Sequence, residues 1–495
     1  MNIKSLLSLP FAKYVTYKNN KWKNNAVKIQ NDLMLKLIHA AEHTIFGKEH
    51  GFEKISNYID FKNSVPVRDY EKIKSYIQQI IDGKESVIWP GRPIYFCKTS
   101  GTTSGTKYIP ISKESMPNYI IAARDAILSY IAESGNTSIV NGKMIFLQGS
   151  PKLTKTGNIL TGRLSGIVAH HVPAYLNKNR LPSYNTNCIE DWESKLQSIV
   201  EETLPERMSL ISGIPPWVQM YFEKIQARTG KVIKDIFPHF NLFIYGGVNY
   251  EPYRKTFENL IGRKVDEIEL YPASEGFIAY QDSQKEEGML LCVNHGIFYE
   301  FVPVSEFFMD NPKRISLANV EIGVNYIVII NTNAGLWGYN IGDTIKFVSL
   351  NPYRIIVTGR IKHFTSAFGE HVITEEVEKS LKLALEKHFA EVNEFHVAPQ
   401  VNPHEGLPYH EWLIEFKKEP NNLNKFRGTL DENLQNQNSY YKDLIKDSIL
   451  KPLQITKIHK SGFRNYMKSI GKLGGQNKVP RLANDRKFAD KLCNF

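Results

Sequence analysis

KTSGTTSGTKYIPIS, residues 98–112, is a stretch in which hydroxyl side chains and two glycines directly precede an apolar, strand-like run. A P-loop has four residues between its two glycines, and Lys followed by Ser or Thr comes directly after the second glycine. Here three residues separate Gly101 from Gly105, and Lys107 comes one residue too late, so the spacing excludes a P-loop. The hydroxyls, the glycines and Lys107 could still surround an anionic group. Taken alone, the stretch is equally typical of a solvated turn or linker.

The composition indicates a folded chain with more than one domain. A chain of 495 residues exceeds one ordinary core, and 42% hydrophobic with 23% charged residues is typical of globular proteins, not of disordered or fibrous ones. The net charge of +11 favours anionic ligands, and leaves nucleotides, nucleic acid and acidic lipids open. The four cysteines contain no CxxC pair, which favours a reducing, cytoplasmic location.

The N-terminal segment has a short apolar patch interrupted by Pro10, and we expect it to pack on the body of the protein. No later apolar run approaches the roughly 20 residues that a membrane-spanning helix requires. We therefore expect no membrane span.

Apolar periodicity predicts two helices near the start of the chain. One covers residues 26–45 and is expected to stop at Gly47, and the next enters at Pro66 and Asp69 and ends at Gly83. From about residue 90 to residue 357, short apolar runs alternate with helical stretches. This alternation predicts an α/β arrangement with mostly parallel strands, and ligands of such sheets bind at the carboxyl ends of the strands.

Near residue 360 the strand pattern gives way to a helix with Val377, Leu381 and Leu385 on one face, and later to the alternating strand YHEWLIEF, residues 409–416. We predict a boundary close to residues 359–362. The chain then has a large N-terminal domain, residues 1–360, and a smaller α+β C-terminal domain, residues 361–495.

A second motif, IELYPASEGFIAY, residues 268–280, places Tyr271, Ser274 and Glu275 at the end of an apolar strand. Glu275 could hold Mg²⁺, because magnesium commonly takes one or two carboxylates together with substrate phosphates. The alternative is a strand end followed by a helix cap.

Two further motifs follow. GLWGYNIGDTIKF, residues 335–347, puts Asp343 after a glycine at an expected tight turn, where its carboxylate could accept both hydroxyls of a ribose or only satisfy its own backbone. TGRIKHF, residues 358–364, adds Arg360 and Lys362, for which a solvated basic turn is the alternative.

Taken in order, these four motifs resemble the adenylate-forming superfamily of acyl-CoA synthetases, peptide-synthetase adenylation domains and luciferases. Within it, the chain is most similar to the auxin-responsive acyl-acid amido synthetases, the Gretchen Hagen family. The similarity covers nearly the whole chain and includes the segments NDLMLKLIHAAEHTIFGKEHGF, SGIPPWVQM, LFIYGGVNYEPY, YHEWLIEF and GGQNKVPRL. It implies an α/β fold with a large adenylate-forming domain followed by a mobile C-terminal domain.

The resemblance also implies an ATP site. The loop expected to bind the phosphates contributes Ser100, Gly101, Thr102, Thr103, Ser104 and Lys107. The residues expected to line the adenine are Gly246, Gly247, Val248 and Tyr271. Ser274 would touch phosphate, Glu275 would hold Mg²⁺, and Asp343 with Arg360 would bind the ribose. Lys478 matches the family lysine that the smaller domain brings to the phosphate or carboxylate, although it could be one more charge in a basic tail.

The chain departs from the family pattern at two places. The run ending at His371 lacks the lysine that many members carry, so we assign it no catalytic role, and Pro272 stands where a small residue is usual. In the expected acyl pocket, Arg163, His170 and His171 could face an acyl carboxylate or ring, but surface or hydrogen-bonded core histidines are the commoner case.

The implied reaction is a two-step ligation that uses ATP and Mg²⁺. A carboxylic acid is adenylated with release of pyrophosphate, and an amino-acid amine then displaces AMP to give an N-acyl amide, such as an indole-3-acetyl amino acid. The smaller domain is expected to rotate about the hinge at residues 359–362 between the two steps.

Three alternatives stay open at this stage: an acyl-CoA ligase with a thiol acceptor, a basic nucleic-acid or membrane-surface binding protein, and an adenylate-forming fold that has lost activity. The basic residues are dispersed and no nucleic-acid motif interleaves them with aromatic residues. We therefore expect small-molecule acid and amino-acid substrates, with no nucleic-acid or membrane partner.

Overall fold

The computed structural model describes most of the chain. Outside the description are residues 1–2, 101–105, 248–249, 308, 310–311, 361–363, 366–371, 402, 404, 447–448, 474–477, 484 and 494. The chain divides into two compact units: unit 1 contains Met1–Ile341 and Ile345–Ile356, and unit 2 contains Gly342–Thr344 and Val357–Phe495. The domain limits 1–360 and 361–495 stay a prediction.

The N-terminal part of unit 1 is helical. The helices that precede the first strand are α1 (Ile3–Lys23), α2 (Ala26–Ala41), α3 (Ile45–Glu49), α4 (Tyr58–Ser64) and α5 (Tyr70–Ile81). The N-terminal segment packs on the body of the unit as expected, because α1 lies against α6 (Met116–Ser134). The prediction for α5 is also confirmed: the Asp69 side chain accepts a hydrogen bond from the Lys72 amide, and the helix ends before Gly83.

The predicted end of the helix over residues 26–45 is wrong. Helix α2 stops at Ala41, and α3 begins after Thr44, whose hydroxyl accepts a hydrogen bond from the Gly47 amide at 2.9 Å. Gly47 therefore lies inside α3. A Cβ atom at this position would lie 2.2 Å from the Ala41 carbonyl oxygen, so the close approach of the two helices requires glycine here.

Most strands belong to one twelve-stranded sheet. Its members are β3 (Lys143–Leu147), β6 (Arg180–Leu181), β7 (Met208–Gly213), β8 (Leu242–Gly246), β9 (Asp266–Ala273), β10 (Gly276–Tyr280), β11 (Met289–Leu291), β12 (Ile297–Pro303), β13 (Ile315–Ser316), β14 (Asn325–Thr332), β15 (Tyr339–Leu350) and β16 (Tyr353–Arg360). The order across the sheet is β13-β12-β14-β15-β16-β11-β10-β9-β8-β7-β3-β6.

The sheet is mixed, so the expectation of mostly parallel strands holds for one half only. Strands β6, β3, β7, β8 and β9 pair in parallel, because helices connect most of them along the chain. From β9 onward the pairs β9/β10, β10/β11, β11/β16 and β12/β14 are antiparallel. Connections without a helix, such as the one between β9 and β10, bring consecutive strands together as antiparallel neighbours.

A second, four-stranded sheet of unit 1 has the order β2-β1-β5-β4. Its strands are β1 (Tyr95–Ser100), β2 (Thr106–Ile111), β4 (Thr154–Thr156) and β5 (Ile159–Gly162). The remaining α-helices of this unit are α7 (Leu164–Ala169), α8 (Ala174–Asn177), α9 (Tyr184–Asn187), α10 (Trp192–Thr203), α11 (Pro215–Thr229), α12 (Ile233–Ile236) and α13 (Glu251–Ile261). Short 3₁₀ helices cover Phe52–Lys54, Ser138–Asn141, Val304–Glu306 and Leu317–Asn319.

The core of unit 1 consists of two apolar clusters. The larger one joins the N-terminal helices and α6 to the antiparallel strands, and the other joins α10, α11 and α13 to the parallel strands β3, β7 and β8. Burial of apolar side chains against both parts of the sheet explains why its strands consist largely of continuous apolar runs.

Unit 2 has its own core. It includes residues 342–344 of β15 and the last residues of β16. Its other elements are β17 (Phe364–Thr365), β18 (Val372–Ile373), α14 (Thr374–His388), β19 (Glu391–Gln400), β20 (Tyr409–Lys418), α15 (Leu423–Gln437), α16 (Ser439–Lys446), β21 (Gln454–Lys457), α17 (Gly462–Ser469) and α18 (Lys487–Leu492). Helix α14 confirms the predicted apolar face with Val377 and Leu381 buried. Among the described residues, no helix is long and apolar enough to cross a membrane.

Strand β20 is buried on both faces, although its sequence alternates between polar and apolar residues. Trp412 and Ile414 belong to one apolar cluster of unit 2, and Leu413 belongs to the other. The interleaved carboxylates are satisfied by specific partners: Glu411 accepts a hydrogen bond from Arg486 at 2.7 Å, and Glu415 accepts one from the Ser461 amide at 2.9 Å. The alternation therefore marks a buried strand with paired carboxylates.

Candidate active site

The hydroxyl-rich stretch belongs to the hairpin of β1 and β2. Ser100 pairs with Thr106, and Thr99 pairs with Lys107. The loop residues Gly101, Thr102, Thr103 and Ser104 lie outside the described part of the chain, as does the side chain of Ser100. Lys107 is half-buried, with its ammonium group 5.5 Å from the centre of the Tyr70 ring.

Ser274 and Glu275 form the two-residue turn between β9 and β10, because Ala273 pairs directly with Gly276. The strand β9 ends here as expected, but strand β10 follows the turn, so the helix cap considered for this segment is not present. A tight turn that leads into the buried strand β10 holds both residues at one defined place at the edge of the sheet.

Two buried side chains hold this turn. The Cys97 thiol of β1 donates a hydrogen bond to the Ser274 hydroxyl at 3.1 Å, and the Tyr119 hydroxyl of α6 donates to the Ser274 carbonyl oxygen at 2.9 Å. The hairpin strand that leads into the hydroxyl-rich loop is thereby joined directly to the Ser274–Glu275 turn.

Both donors stay protonated at neutral pH. Burial raises the pKa of the Cys97 thiol to about 12, and it raises the pKa of Tyr119 well above its usual range. The negative charge of Glu275 adds to both rises.

The glycines predicted to line the adenine end strand β8, next to β9. Gly246 pairs with Leu270 in parallel, and a Cβ atom at Gly246 would lie 2.3 Å from the Leu270 carbonyl oxygen. Gly247 has φ +79°, a conformation that favours glycine. Tyr271 follows Leu270 and is buried, whereas Val248 lies outside the described residues. The structure therefore brings Gly246 and Tyr271 together at the carboxyl edge of the parallel strands.

The predicted ribose and lysine positions belong to unit 2. Asp343 is buried within strand β15 and follows Gly342 with φ +81°, so the tight turn expected there was wrong. An extended strand accommodates the irregularity because glycine accepts a positive φ within it. Arg360 ends β16 and only its backbone is described, and Lys478 is exposed. His371 and Lys362 lie outside the described residues.

The histidines considered for the acyl pocket have local partners. His170 Nε2 lies 2.8 Å from the Pro151 carbonyl oxygen, and His171 Nε2 lies 3.0 Å from the Tyr95 hydroxyl. Burial lowers the pKa of His171, which favours the neutral ring. These contacts support the alternative of hydrogen-bonded structural histidines.

The sequence analysis did not identify Cys97 and Tyr119, nor Lys195, a buried lysine of α10 that donates a hydrogen bond to the Gln148 carbonyl oxygen. Nothing local distinguishes Tyr119 from any tyrosine on an amphipathic helix. Lys195 had a signal: in WESKLQSIV, residues 192–200, it falls on the same helical face as the apolar residues Trp192, Leu196 and Ile199. A lysine on the buried face of a helix is rare and indicates a special partner.

The donor set around Glu275 fits magnesium held jointly with a phosphate substrate. Among the described residues, no group of three or more His, Cys, Asp or Glu side chains could form a complete metal site. Mg²⁺ retains water and often uses only one or two protein carboxylates together with substrate phosphates. A single carboxylate beside a hydroxyl and a hydroxyl-rich hairpin agrees with that pattern.

A large α/β unit followed by a smaller unit, with a Ser-Glu turn held against a hydroxyl-rich hairpin, defines the adenylate-forming fold. The chain superposes on a 2-hydroxyisobutyryl-CoA ligase in the postadenylation state with a TM-score of 0.60 at 11% identity, covering 97% of this chain and 93% of the other. The predicted fold class, a large N-terminal adenylate-forming domain with a smaller C-terminal one, is confirmed.

The family is narrower than that fold. Models of the GH3 family match the chain with an N-terminal domain at residues 17–173, a central domain at 290–360 and a C-terminal domain at 373–487. The chain belongs to the GH3 family, as its motifs indicated. It also superposes on the GH3.15 acyl acid amido synthetase with a TM-score of 0.80 at 15% identity, covering 97% of this chain and 95% of that one.

Curated relatives have low identity over long alignments. The jasmonoyl–L-amino acid synthetase JAR4 of Nicotiana attenuata is 23% identical, over 65% of this chain and 67% of the relative. The indole-3-acetic acid-amido synthetase GH3.15 of Arabidopsis thaliana is 23% identical, over 85% of this chain and 84% of the relative. The chain is thus a member of an enzyme family of ATP-dependent, amide-forming ligases, the acyl-acid amido synthetases.

Proposed function

We propose that the Ser274–Glu275 turn and the β1–β2 hairpin form the adenylation site of this ligase. The observation that carries the proposal is the pair of hydrogen bonds from Cys97 and Tyr119 to Ser274, which hold the turn beside the strand leading into the hydroxyl-rich loop. The Ser274 oxygen accepts the bond from the Cys97 thiol, so its own hydrogen is available to a phosphate oxygen. The loop at residues 100–107 supplies further hydroxyls and Lys107 for the ATP phosphates.

Glu275 is the proposed ligand for Mg²⁺. When bound, the ion neutralises charge on the phosphates of ATP. The protein's part is to hold a carboxylate close to the phosphates, and the buried partners of the turn restrict its position.

The other nucleotide contacts are proposed from the family motifs. Gly246, Gly247, Val248 and Tyr271 line the adenine, and the adjacency of Gly246 and Tyr271 at one sheet edge supports this assignment. Asp343 and Arg360 bind the ribose. Lys478, from the proposed C-terminal domain at residues 361–495, neutralises charge on the phosphate or the carboxylate.

In the first half-reaction, an oxygen of the substrate carboxylate bonds to the α-phosphorus of ATP and the bond to pyrophosphate breaks. In the second, the amine nitrogen of an amino acid bonds to the acyl carbon, AMP departs with the carboxylate oxygen that joined it, and the amine loses a proton to solvent. This scheme needs no covalent bond to the enzyme.

We propose small carboxylic acids and amino acids as the substrates. The names of the relatives include jasmonoyl and indole-3-acetic acid conjugation, so these two acids belong in a first substrate panel. A cytoplasmic location stays a prediction from cysteine usage.

The experiment is pyrophosphate release with ATP and Mg²⁺ across a panel of acids, each combined with amino acids or with CoA. We expect AMP and an N-acyl amide for at least one pair. Formation of a thioester without amide would instead assign the chain to acyl-CoA ligases. No pyrophosphate release with any acid, from protein that binds ATP, would indicate loss of activity.

The residue assignment is tested by Glu275→Gln with Glu287→Gln as the control, because Glu287 is an exposed carboxylate. We expect the first variant to lose acid-dependent exchange of pyrophosphate into ATP by about 10² to 10³-fold, the range found when a charge-stabilising group is removed. Full exchange in Glu275→Gln would contradict the metal role.

A further inference from the structure

Two cations, Lys195 and Arg163, approach the adjacent residues Gln148 and Gly149 at the carboxyl end of strand β3. The Lys195 ammonium donates a hydrogen bond to the Gln148 carbonyl oxygen at 3.0 Å. At the next residue, a Cβ atom on Gly149 would lie 3.2 Å from Cδ of Arg163. Glycine at 149 therefore leaves the space in which the arginine side chain passes.

Lys195 is buried without a negative partner. Its side chain is 4% exposed, and its second hydrogen bond goes to the Asn187 carbonyl oxygen at 2.8 Å. Two neutral carbonyls satisfy two of its three N–H donors. Among the described residues neither Lys195 nor Arg163 forms an ion pair with a carboxylate, and burial lowers the pKa of Lys195 to about 8, with repulsion from Arg163 contributing.

Burying a cation without an anion is costly, so the buried Lys195 together with the half-buried Arg163 indicates a site for an anion. This place is the edge of the sheet where parallel strands end and where ligands of α/β sheets bind. It also adjoins the proposed adenylation site, because Gly162, the residue before Arg163, pairs with Cys97, and Cys97 is bonded to Ser274.

We propose that Arg163 and Lys195 bind the α-carboxylate of the amino-acid acceptor. The inference rests on the proposed function and adds the acceptor's subsite to it. One carbon separates the amine of an amino acid from its carboxylate, so an amine placed to attack the acyl adenylate leaves its carboxylate a short distance from the Ser274–Glu275 turn.

The carboxylate of the acyl acid is a less suitable ligand for Arg163 and Lys195 than the carboxylate of the amino-acid acceptor. The acyl carboxylate loses its charge when the adenylate forms, so cations paired with it would stabilise the free acid more than the adenylate and oppose the reaction. The acceptor carboxylate stays charged throughout the second half-reaction, and cations bound to it carry no such cost.

The test compares an amino acid with its carboxamide as acceptors for Arg163→Gln and Lys195→Gln. The control is Arg207→Gln, because Arg207 is exposed and precedes β7 at the opposite, amino end of the parallel strands. For Arg163→Gln we expect kcat/KM for the amino acid to fall about tenfold to hundredfold, mainly through a higher KM, as for loss of a charged hydrogen bond. The carboxamide should react with the variant and the parent equally well, and Arg207→Gln should match the parent with both acceptors.

Exchange of pyrophosphate into ATP with the acyl acid alone separates the possible outcomes. We expect it to be unchanged in Arg163→Gln, which shows that the first half-reaction is intact. A parallel fall in exchange would place the cations on the acyl acid, and equal losses for amino acid and carboxamide would make their role structural; either result overturns the inference. If Lys195→Gln does not fold, Arg163→Gln decides the question alone, and absence of exchange in the parent protein would instead refute the proposed function.

Discussion

At the scale of single residues, Tyr119 is expected to position the Ser274–Glu275 turn, and its effect on activity can be separated from its effect on stability. Tyr119→Phe removes the bond to the Ser274 carbonyl oxygen and leaves that oxygen without this donor. We expect pyrophosphate exchange to fall about twofold to tenfold and the free energy of unfolding to fall by about 1 kcal/mol, the usual worth of one hydrogen bond.

The matched control is Tyr130→Phe on the same helix, α6. The Tyr130 hydroxyl donates to the Asp266 carboxylate at 2.6 Å, at the start of β9, whereas Tyr119 acts at its end. This variant should lose similar stability, measured by denaturant unfolding, with unchanged exchange. Equal losses of exchange in both variants would contradict a positioning role for Tyr119.

Gly246 permits the close approach of β8 to β9 where the adenine is proposed to bind. In Gly246→Ala the new methyl group meets the Leu270 carbonyl oxygen, which is backbone and cannot rotate away. We expect a loss of about 1 to 3 kcal/mol in unfolding free energy, as for overpacking, with weaker ATP binding in a titration of the folded variant. Gly428→Ala is the control, because a Cβ atom there would meet nothing within 4 Å inside helix α15, and alanine should stabilise the helix by about 0.5 to 1 kcal/mol.

At the scale of elements, Thr44 separates α2 from α3. Its hydroxyl donates to the Ala41 carbonyl oxygen at 2.7 Å and accepts from the Gly47 amide, and the side chain is buried. Thr44→Ala should lower the free energy of unfolding by about 1 to 2 kcal/mol, the cost of losing a helix cap. Thr44→Ser keeps the hydroxyl and should therefore retain most of the parent's free energy of unfolding. Both variants are measured by denaturant titration. A loss in Thr44→Ser as large as in Thr44→Ala would contradict the cap.

Elements with a strong local signal were predictable. Helix α5 has both its apolar face and its Asp69 cap in the sequence, and strands such as β8 and β14 are continuous apolar runs. The end of α2 was missed because the contact of Gly47 with Ala41 depends on a close approach of two helices and not on periodicity. Mostly parallel strands were predicted for the whole sheet, and this was wrong for one half of it, because the direction of a strand depends on how the connections between strands pack.

At the scale of the whole molecule, each unit contains a buried histidine whose lowered pKa makes the unit sensitive to acid. Burial lowers the pKa of His295 in unit 1 and of His396 in unit 2 to about 4, from an ordinary value of 6.5. Between pH 6.5 and pH 4 the unfolded chain therefore binds protons that the folded chain does not, and the free energy of unfolding falls as the pH falls.

Replacing either histidine should reduce this dependence. We expect His295→Gln and His396→Gln each to remove up to about 1.4 kcal/mol per pH unit from the slope of unfolding free energy between pH 4 and pH 6.5. The measurement is denaturant unfolding at several pH values. Unfolding is followed with probes in unit 1 for His295→Gln and with probes in unit 2 for His396→Gln. Slopes equal to those of the parent protein in both variants would contradict protonation of these rings on unfolding.

The candidate site was predictable only in part. Ser274 and Glu275 were recognised because a Y-x-x-S-E motif closes an apolar strand, and Gly246 because the segment LFIYGGVNYEPY resembles the family. The residues that contact Ser274 were not predicted, because Cys97 lies 177 residues and Tyr119 lies 155 residues from Ser274 along the chain. Sequence spacing does not indicate which of the four cysteines and 25 tyrosines will reach a given turn.

The sequence by itself determined the α/β class, the order of four motifs that indicates the family, and the identity of the carboxylate and glycines at the proposed site. The α/β class follows from local periodicity, and the family and the site residues follow from short motifs that resemble the family, all of which are read within single segments of the chain. Only the tertiary structure decided that Cys97 and Tyr119 hold the Ser274–Glu275 turn and that Lys195 and Arg163 approach the adjacent residues Gln148 and Gly149 after β3. The physical reason is that contacts between distant residues arise from the packing of whole sheets and helices, which no single segment encodes.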